Sequence, residues 1–482
     1  MNSLDTPERA PENSASAAAR RALVDNASQP VSSHASLSPE RFPPGLHNAF
    51  FFSVFNALSF QIVLSSPMVL YAKSLGASST VLGIIAGMMP LLVIFQIPAA
   101  NYLERVGYKR FVFGGWGMRV LMIFGIALVP VGERLLDPTT RLVLILALLF
   151  VFNLSRGISS AGWLPWITSL VPPTIRGKYL ANEAGFNNLG SFGAFIAAAF
   201  ALGNAPAAWQ FSIVFLFSAL AGSMSLVFLK RIPDVAVPVT PRTSREPVPW
   251  RAMAAFPPFR KLVALNVAWS VAFGGITTFV VAYLKAHTNL TEREILLANS
   301  MFFIGGLSSL WLMGLRLDRF GSRPVIAFSI CLWLVITAGW ALLAGEMFAP
   351  LISFVLALQF LMGLGNALAN MAQTRLAMVV IPEMGRSHFF ALYSVIGSLA
   401  LGIAPVLWGL LIDSLHGLHA GWREFEWNQF SVFFAAAGVA FLVALFRCRK
   451  LEETHAADMD ELLRDLLIHS PQRFWLRFWP RE

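Results

Sequence analysis

Long apolar runs, each near the length of a bilayer crossing and each closed by a short polar turn, recur from residue 47 to residue 446. In the first half they occupy 47–72, 79–103, 111–131, 141–171, 178–203 and 208–229. In the second they occupy 260–286, 293–315, 323–344, 349–381, 387–415 and 427–446. A helix needs about 20 apolar residues to cross the hydrocarbon layer, so each run predicts one crossing. Lipid offers no partner to backbone N–H and C=O groups, and a helix satisfies its own. The pattern therefore predicts an all-α integral membrane protein with twelve transmembrane helices. The expected division is a tail at 1–45, a six-helix bundle at 46–229, a linker at 230–259, a second bundle at 260–447 and a tail at 448–482.

The polar stretches refine this picture. Residues 1–45 are rich in Ser, Ala, Pro and Asn and lack an apolar core, which predicts a disordered tail rather than a signal peptide. After residue 447, Asp458–Ile468 has the spacing of a short amphipathic helix. Arg473–Trp479 mixes aromatic and basic residues, as segments that settle among lipid headgroups do. Composition agrees: the chain is 56% hydrophobic and 13% charged, against about 25% charged in globular proteins. Its net charge of +10 is spread over short loops rather than gathered on one face, so it signals membrane orientation and not nucleic-acid binding.

Alternate loops carry the bases: Arg105, Lys109 and Arg110; Arg176 and Lys178; the linker with Lys230, Arg231, Arg242, Arg245 and Arg251; Arg316, Arg319 and Arg323; Arg386. The other loops balance bases with acids, as in Glu133-Arg134 and Glu292-Arg293-Glu294. Both termini are thus expected in the cytoplasm, and the lipid around the chain is expected to be a plasma membrane of the bacterial inner type.

The halves also repeat one another. The stretch Ala100-Asn101-Tyr102-Leu103-Glu104-Arg105-Val106-Gly107-Tyr108-Lys109-Arg110 has a second copy in Gly314-Leu315-Arg316-Leu317-Asp318-Arg319-Phe320-Gly321-Ser322-Arg323. Leu170–Tyr179 likewise aligns with Val380–Phe389: a long helix ends at Pro and a basic turn follows. The loop repeat resembles the cytoplasmic motif of the major facilitator superfamily, found between its second and third helices and again between its eighth and ninth. That resemblance covers residues 46–447. It implies two pseudo-twofold-related six-helix bundles around a central solute site, working by alternating access. It also implies a gating role for Glu104, Arg105, Gly107, Lys109 and Arg110, and for Gly314, Asp318, Arg319, Gly321 and Arg323. Ala100 and Glu104 depart from the family's Gly and Asp. The bland reading is that these bases only anchor the loops.

Arg156 is the most informative single residue, because it sits near the middle of the fourth run. A central Arg costs about 2.5–3.5 kcal/mol by insertion scales, so it should face a cavity or a partner. It resembles the family's fourth-helix Arg motif, with Ser160 where Gly is usual. It can hold an anionic group or shift a neighbouring carboxylate, or it can be structural, bonded to carbonyls and Asn153. Arg119 is expected to snorkel to the surface. Asn366, Asn370 and Gln373 share a helix face, either lining the cavity or bonding helix to helix. Asn56, Gln61, Asn266 and Trp269 lie on the first and seventh helices, which line the cavity in the family resembled. Glu183 is the deepest carboxylate and the candidate for proton coupling, while a salt bridge to Arg176 or Lys178 explains it equally well.

These residue types suit a small polar solute, neutral or anionic, with a proton or other cation as a coupling partner. No phosphate loop, HExxH or paired-Cys spacing is present, and Cys331 and Cys448 make neither a disulfide framework nor a metal site. The expectation is a transporter and not an enzyme, with no cofactor and no metal. The alternative is a transporter-fold receptor or assembly factor, whose cavity would be plugged by side chains.

Overall fold

The computed structural model describes residues 42–172, 175–235, 255–313, 320–381, 386–422 and 424–451. The N-terminal tail, most of the linker, Gly314, Asp318 and Arg319 of the second loop motif, and both segments expected in the C-terminal tail lie outside the described residues.

Eleven of the described helices are long and apolar enough to cross a membrane. In the first half they are His47–Ser74, Ser79–Ala100, Tyr108–Arg134, Pro138–Leu170, Tyr179–Leu202 and Ala208–Arg231. In the second they are Pro257–His287, Ser322–Ala344, Ile352–Val380, Phe389–Ser414 and Gln429–Arg449. Between Pro257–His287 and Ser322–Ala344 lies a further helix of 22 residues, Glu292–Met313, which begins on a charged turn and takes the eighth place. Helices are numbered first to twelfth in this order.

Local chemistry sets the ends. The Asp137 carboxylate accepts from the Thr140 amide (3.0 Å) and hydroxyl (2.6 Å), and Pro138 fills the first turn, where a missing N–H does no harm. The fourth helix therefore starts ahead of its apolar run, and the bonds to Thr140 hold the Asp137 carboxyl below its ordinary pKa. Asn428 caps the twelfth helix by accepting from the amides of Phe430 and Ser431, both at 3.0 Å. Just before it, Ala420–Trp422 and Phe425–Trp427 pair as a small antiparallel hairpin where the sequence predicted only a loop.

Among the described residues the first and seventh helices are broken by non-helical backbone, which the apolar pattern did not foretell. The first breaks at Ser65, whose backbone is extended (φ −132°, ψ −153°), just before Pro67. A proline inside a helix lacks the N–H and crowds the carbonyl four residues back. The seventh breaks at Gly274-Gly275, where Gly275 has φ +84°. The breaks fall at matching places in the two halves. The segments beyond them, Ser66–Ser74 and Ile276–His287, pack on each other.

Close backbone contact holds the helices together. Gly363 of the tenth helix meets the Phe302 carbonyl of the eighth, and Gly305 of the eighth meets the Phe360 carbonyl of the tenth. Between the halves, the second helix lies along the eleventh. Gly83 touches the Pro405 carbonyl, Gly87 touches that of Gly402, and Gly409 touches that of Ser79. Small residues permit such approach, and where lipid replaces water, packing must supply what the hydrophobic effect cannot. The fifth helix also packs on the eighth across the halves.

A side chain at Gly363 has no room except by moving the eighth helix. Gly363→Val is expected to cost about 1–3 kcal/mol or more and to lower the melting temperature of the detergent-solubilised protein. Gly117→Ala, with nothing within 4 Å of the added methyl, should leave it within a degree or two.

Candidate functional site

The fourth helix is clamped on both sides of its central arginine. Gly157 lets the Leu92 carbonyl of the second helix approach, and Gly115 of the third helix receives Ser159. Ser159 in turn donates to the Ser155 carbonyl at 2.7 Å. These contacts fix the backbone that carries Arg156.

Arg156 opens onto a cavity of about 500 Å³ formed by the first, third, fourth and fifth helices. Asn56, Trp116, Arg119, Trp163, Glu183 and Asn187 share its wall. All of these lie in the half of the molecule nearest the basic loops. Trp116 donates to the Asn56 side-chain oxygen at 3.1 Å. Phe52, Trp116 and Trp163 form an aromatic group with ring centroids 4.8–6.0 Å apart.

Arg119 does not snorkel. It is 4% exposed, and its guanidinium carbon sits 4.7 Å from the Trp116 ring centre and 4.9 Å from that of Phe152. The signal was available in the sequence. Eight residues past the start of its apolar run at 111, at 1.5 Å of rise each, place it roughly 12 Å deep, beyond the reach of a snorkelling side chain. Nε and Nη1 of Arg119 and Nη1 of Arg156 are enclosed and have no hydrogen-bond partner. Both guanidiniums belong to residues that line the same cavity.

A second cavity, of about 220 Å³, lies toward the opposite end, between the halves. The helix breaks line it with Ser65, Ser66, Phe273 and Thr277, joined by Gln61, Asn299 and Gln359. Gln61 donates to Ser191 at 3.1 Å, Asn299 donates to Ser66 at 2.8 Å, and Gln359 donates to Asn299.

Beyond this cavity the halves are tied. The Asp413 carboxylate of the eleventh helix accepts from the backbone amides of Ser79 (2.9 Å) and Thr80 (2.7 Å) at the start of the second. The Arg293 amide donates to the Gly203 carbonyl at 3.0 Å, and its guanidinium lies 4.7 Å from the Phe200 ring centre.

The other residues singled out by sequence stand elsewhere. Asn153 is buried and donates to the Leu149 carbonyl at 2.9 Å. Asn266 packs on Gly397, with the Tyr393 carbonyl 3.5 Å away. Trp269 sits in an aromatic cluster with Phe273, Trp333 and Phe441. Asn370 donates to Asn366 at 3.2 Å, and Gln373 is buried with Nε2 unpartnered. In the first loop motif Glu104, Arg105 and Arg110 are exposed, while Lys109 donates to the Ile232 carbonyl at 2.8 Å. Gly107 and Gly321, equivalent in the two copies, both adopt φ +83°, which explains why glycine stands there. Arg323 donates to the Arg449 carbonyl at 3.1 Å. The side chains of Arg176 and Lys178, offered as ion-pair partners for Glu183, lie outside the described ones.

Solved structures with this architecture include the nucleoside transporter NupG, 10% identical, with a TM-score of 0.64 over 85% of this chain and 100% of that one. A D-xylose-proton symporter is 13% identical, with a TM-score of 0.64 over 85% and 97% of the two chains. A POT family transporter in complex with 5-aminolevulinic acid is 15% identical, with the same score and coverage. No curated protein matches the sequence. The sequence profile of the Major Facilitator Superfamily matches residues 49–288 and 270–479, nearly the whole membrane-embedded chain. The chain belongs to the major facilitator superfamily of transporters, an integral membrane protein built of two six-helix bundles.

Proposed function

We propose that this protein is a secondary carrier that moves a small polar solute by alternating access. The observation that carries this reading is the cavity of about 500 Å³ with Arg156 on its wall, nearest the basic loops, while the opposite end is tied shut. That is the asymmetry expected of one stage in such a cycle. The basic loops then face the cytoplasm of a bacterial-type inner membrane, as does each terminus. Structural neighbours are named for nucleosides and D-xylose, solutes of a size that such a cavity holds.

In this reading Asn56, Arg156 and Glu183 belong to the solute site, and Gln61 to the second cavity, on the path toward the closed end. Glu183 is the candidate for proton coupling. The loop motifs act as gates at the basic end, where the tie from Lys109 to Ile232 joins the third helix to the chain leaving the sixth. The bundle boundaries at 46–229 and 260–447 are proposed on the same ground. A plugged cavity was the mark of a transporter-like receptor, and the open one supports the carrier instead.

In proteoliposomes, uptake screened across sugars, nucleosides, organic anions, amino acids and peptides should reveal at least one solute whose flux falls to background in Arg156→Ala. A panel with no flux above that variant ends the carrier reading. The tie at the closed end gives a second expectation. Asp413→Ala removes hydrogen bonds to a charged group, each worth about 1.5–3 kcal/mol, and should favour the opposite opening. With Cys331 and Cys448 replaced, a Ser65→Cys reporter should react faster with an impermeant thiol reagent applied from the tied side when Asp413→Ala is added. Unchanged reactivity would show that the tie does not gate.

A further inference from the structure

Resting on that reading for the word transported, we propose that the transported solute carries an oxyanion group, a carboxylate or phosphate, seated between the guanidiniums of Arg119 and Arg156. Three enclosed guanidinium nitrogens, two on Arg119 and one on Arg156, have no acceptor among the described residues. Buried donors are rarely left so, and charged ones least of all. Among the described residues neither guanidinium has a carboxylate partner, although Glu183 lines the same cavity. Two like charges on the wall of one cavity, both largely buried, call for an opposite charge there.

The surrounding rings sharpen the choice. Trp116 and Phe152 cover Arg119 with their faces, which stabilises a cation while leaving the N–H edges to an acceptor. A guanidinium suits the planar or tetrahedral oxygens of carboxylate and phosphate. The Trp163 and Phe52 rings offer an apolar wall for the remainder of the solute. Glu183 disfavours a second negative group at its side of the cavity and receives a hydrogen-bond donor or ammonium instead. The cavity thus selects a solute with one acidic group at one end and a donor at the other. The clamp of Gly157 on Leu92 keeps Arg156 in place before the solute arrives.

The test uses the full chain in detergent, in a buffer kept low in chloride, with calorimetric binding and thermal unfolding as readouts. The probes are benzoate, inorganic phosphate, benzamide as the uncharged twin of benzoate, and chloride at the same concentration. Benzoate, phosphate or both should bind saturably and raise the melting temperature, whereas benzamide and chloride should not. Arg119→Gln and Arg156→Gln should each weaken that binding about 30-fold or more. Each empty variant should melt no lower than the parent, because one of two like charges is gone. Binding of benzoate alone assigns a carboxylate, and binding of phosphate alone assigns a phosphate. The proposal is overturned if neither probe binds, if benzamide or chloride matches them, or if the variants keep the affinity. It is likewise overturned if the empty variants melt lower, the mark of a structural pair. Flux of a neutral solute without anion binding removes this inference and leaves the carrier; anion binding without any flux does the reverse.

Discussion

Backbone pressed against backbone through glycine is the contact on which this structure depends. Helices in lipid gain little from hiding apolar side chains from one another, since the lipid is equally apolar. They gain from close packing, and Gly363 on Phe302, Gly157 on Leu92 and Gly83 on Pro405 bring carbonyls into contact with bare Cα atoms. The same device serves three purposes. It knits the eighth helix to the tenth within one half, fixes the fourth helix beside Arg156, and seals the second helix to the eleventh across the halves. The site and the closed end are built from the same kind of joint.

The number and order of the helices were legible, because an apolar run of twenty-odd residues has one stable form in a membrane. So was the repeat, which surfaces in the equal backbone angles of Gly107 and Gly321. The breaks at Ser65 and at Gly274-Gly275 were not. Hydrophobicity carries on straight through them, and only Pro67 and the Gly pair hinted at interruption. Both breaks border the smaller cavity, where irregular backbone can meet polar groups or water instead of hydrocarbon.

At the site, depth along a helix proved more informative than residue type. Arg156 was singled out because it is central, and it does line a cavity. Arg119, a few turns into the third helix, was expected to snorkel because a long basic side chain can reach back along its helix, yet it lies too deep to do so. Asn266 and Trp269 show the opposite error of emphasis. Polar or aromatic residues on a cavity-lining helix still have three other directions to face, and spacing within one helix does not say which neighbour each will meet. Only the crossing of the seventh helix with the eleventh and twelfth placed them.

The tie made by Asp413 is a carboxylate on the free amides of a helix end, not an ion pair. In the proposed cycle its rupture strands no cation: water can take over both the exposed amides and the carboxylate as they separate. Water repays part of what those bonds contribute, so the seal opens at a cost of a few kcal/mol rather than the full strength of both bonds. The outward door can therefore stay shut at rest yet yield to the push of a solute settling or leaving.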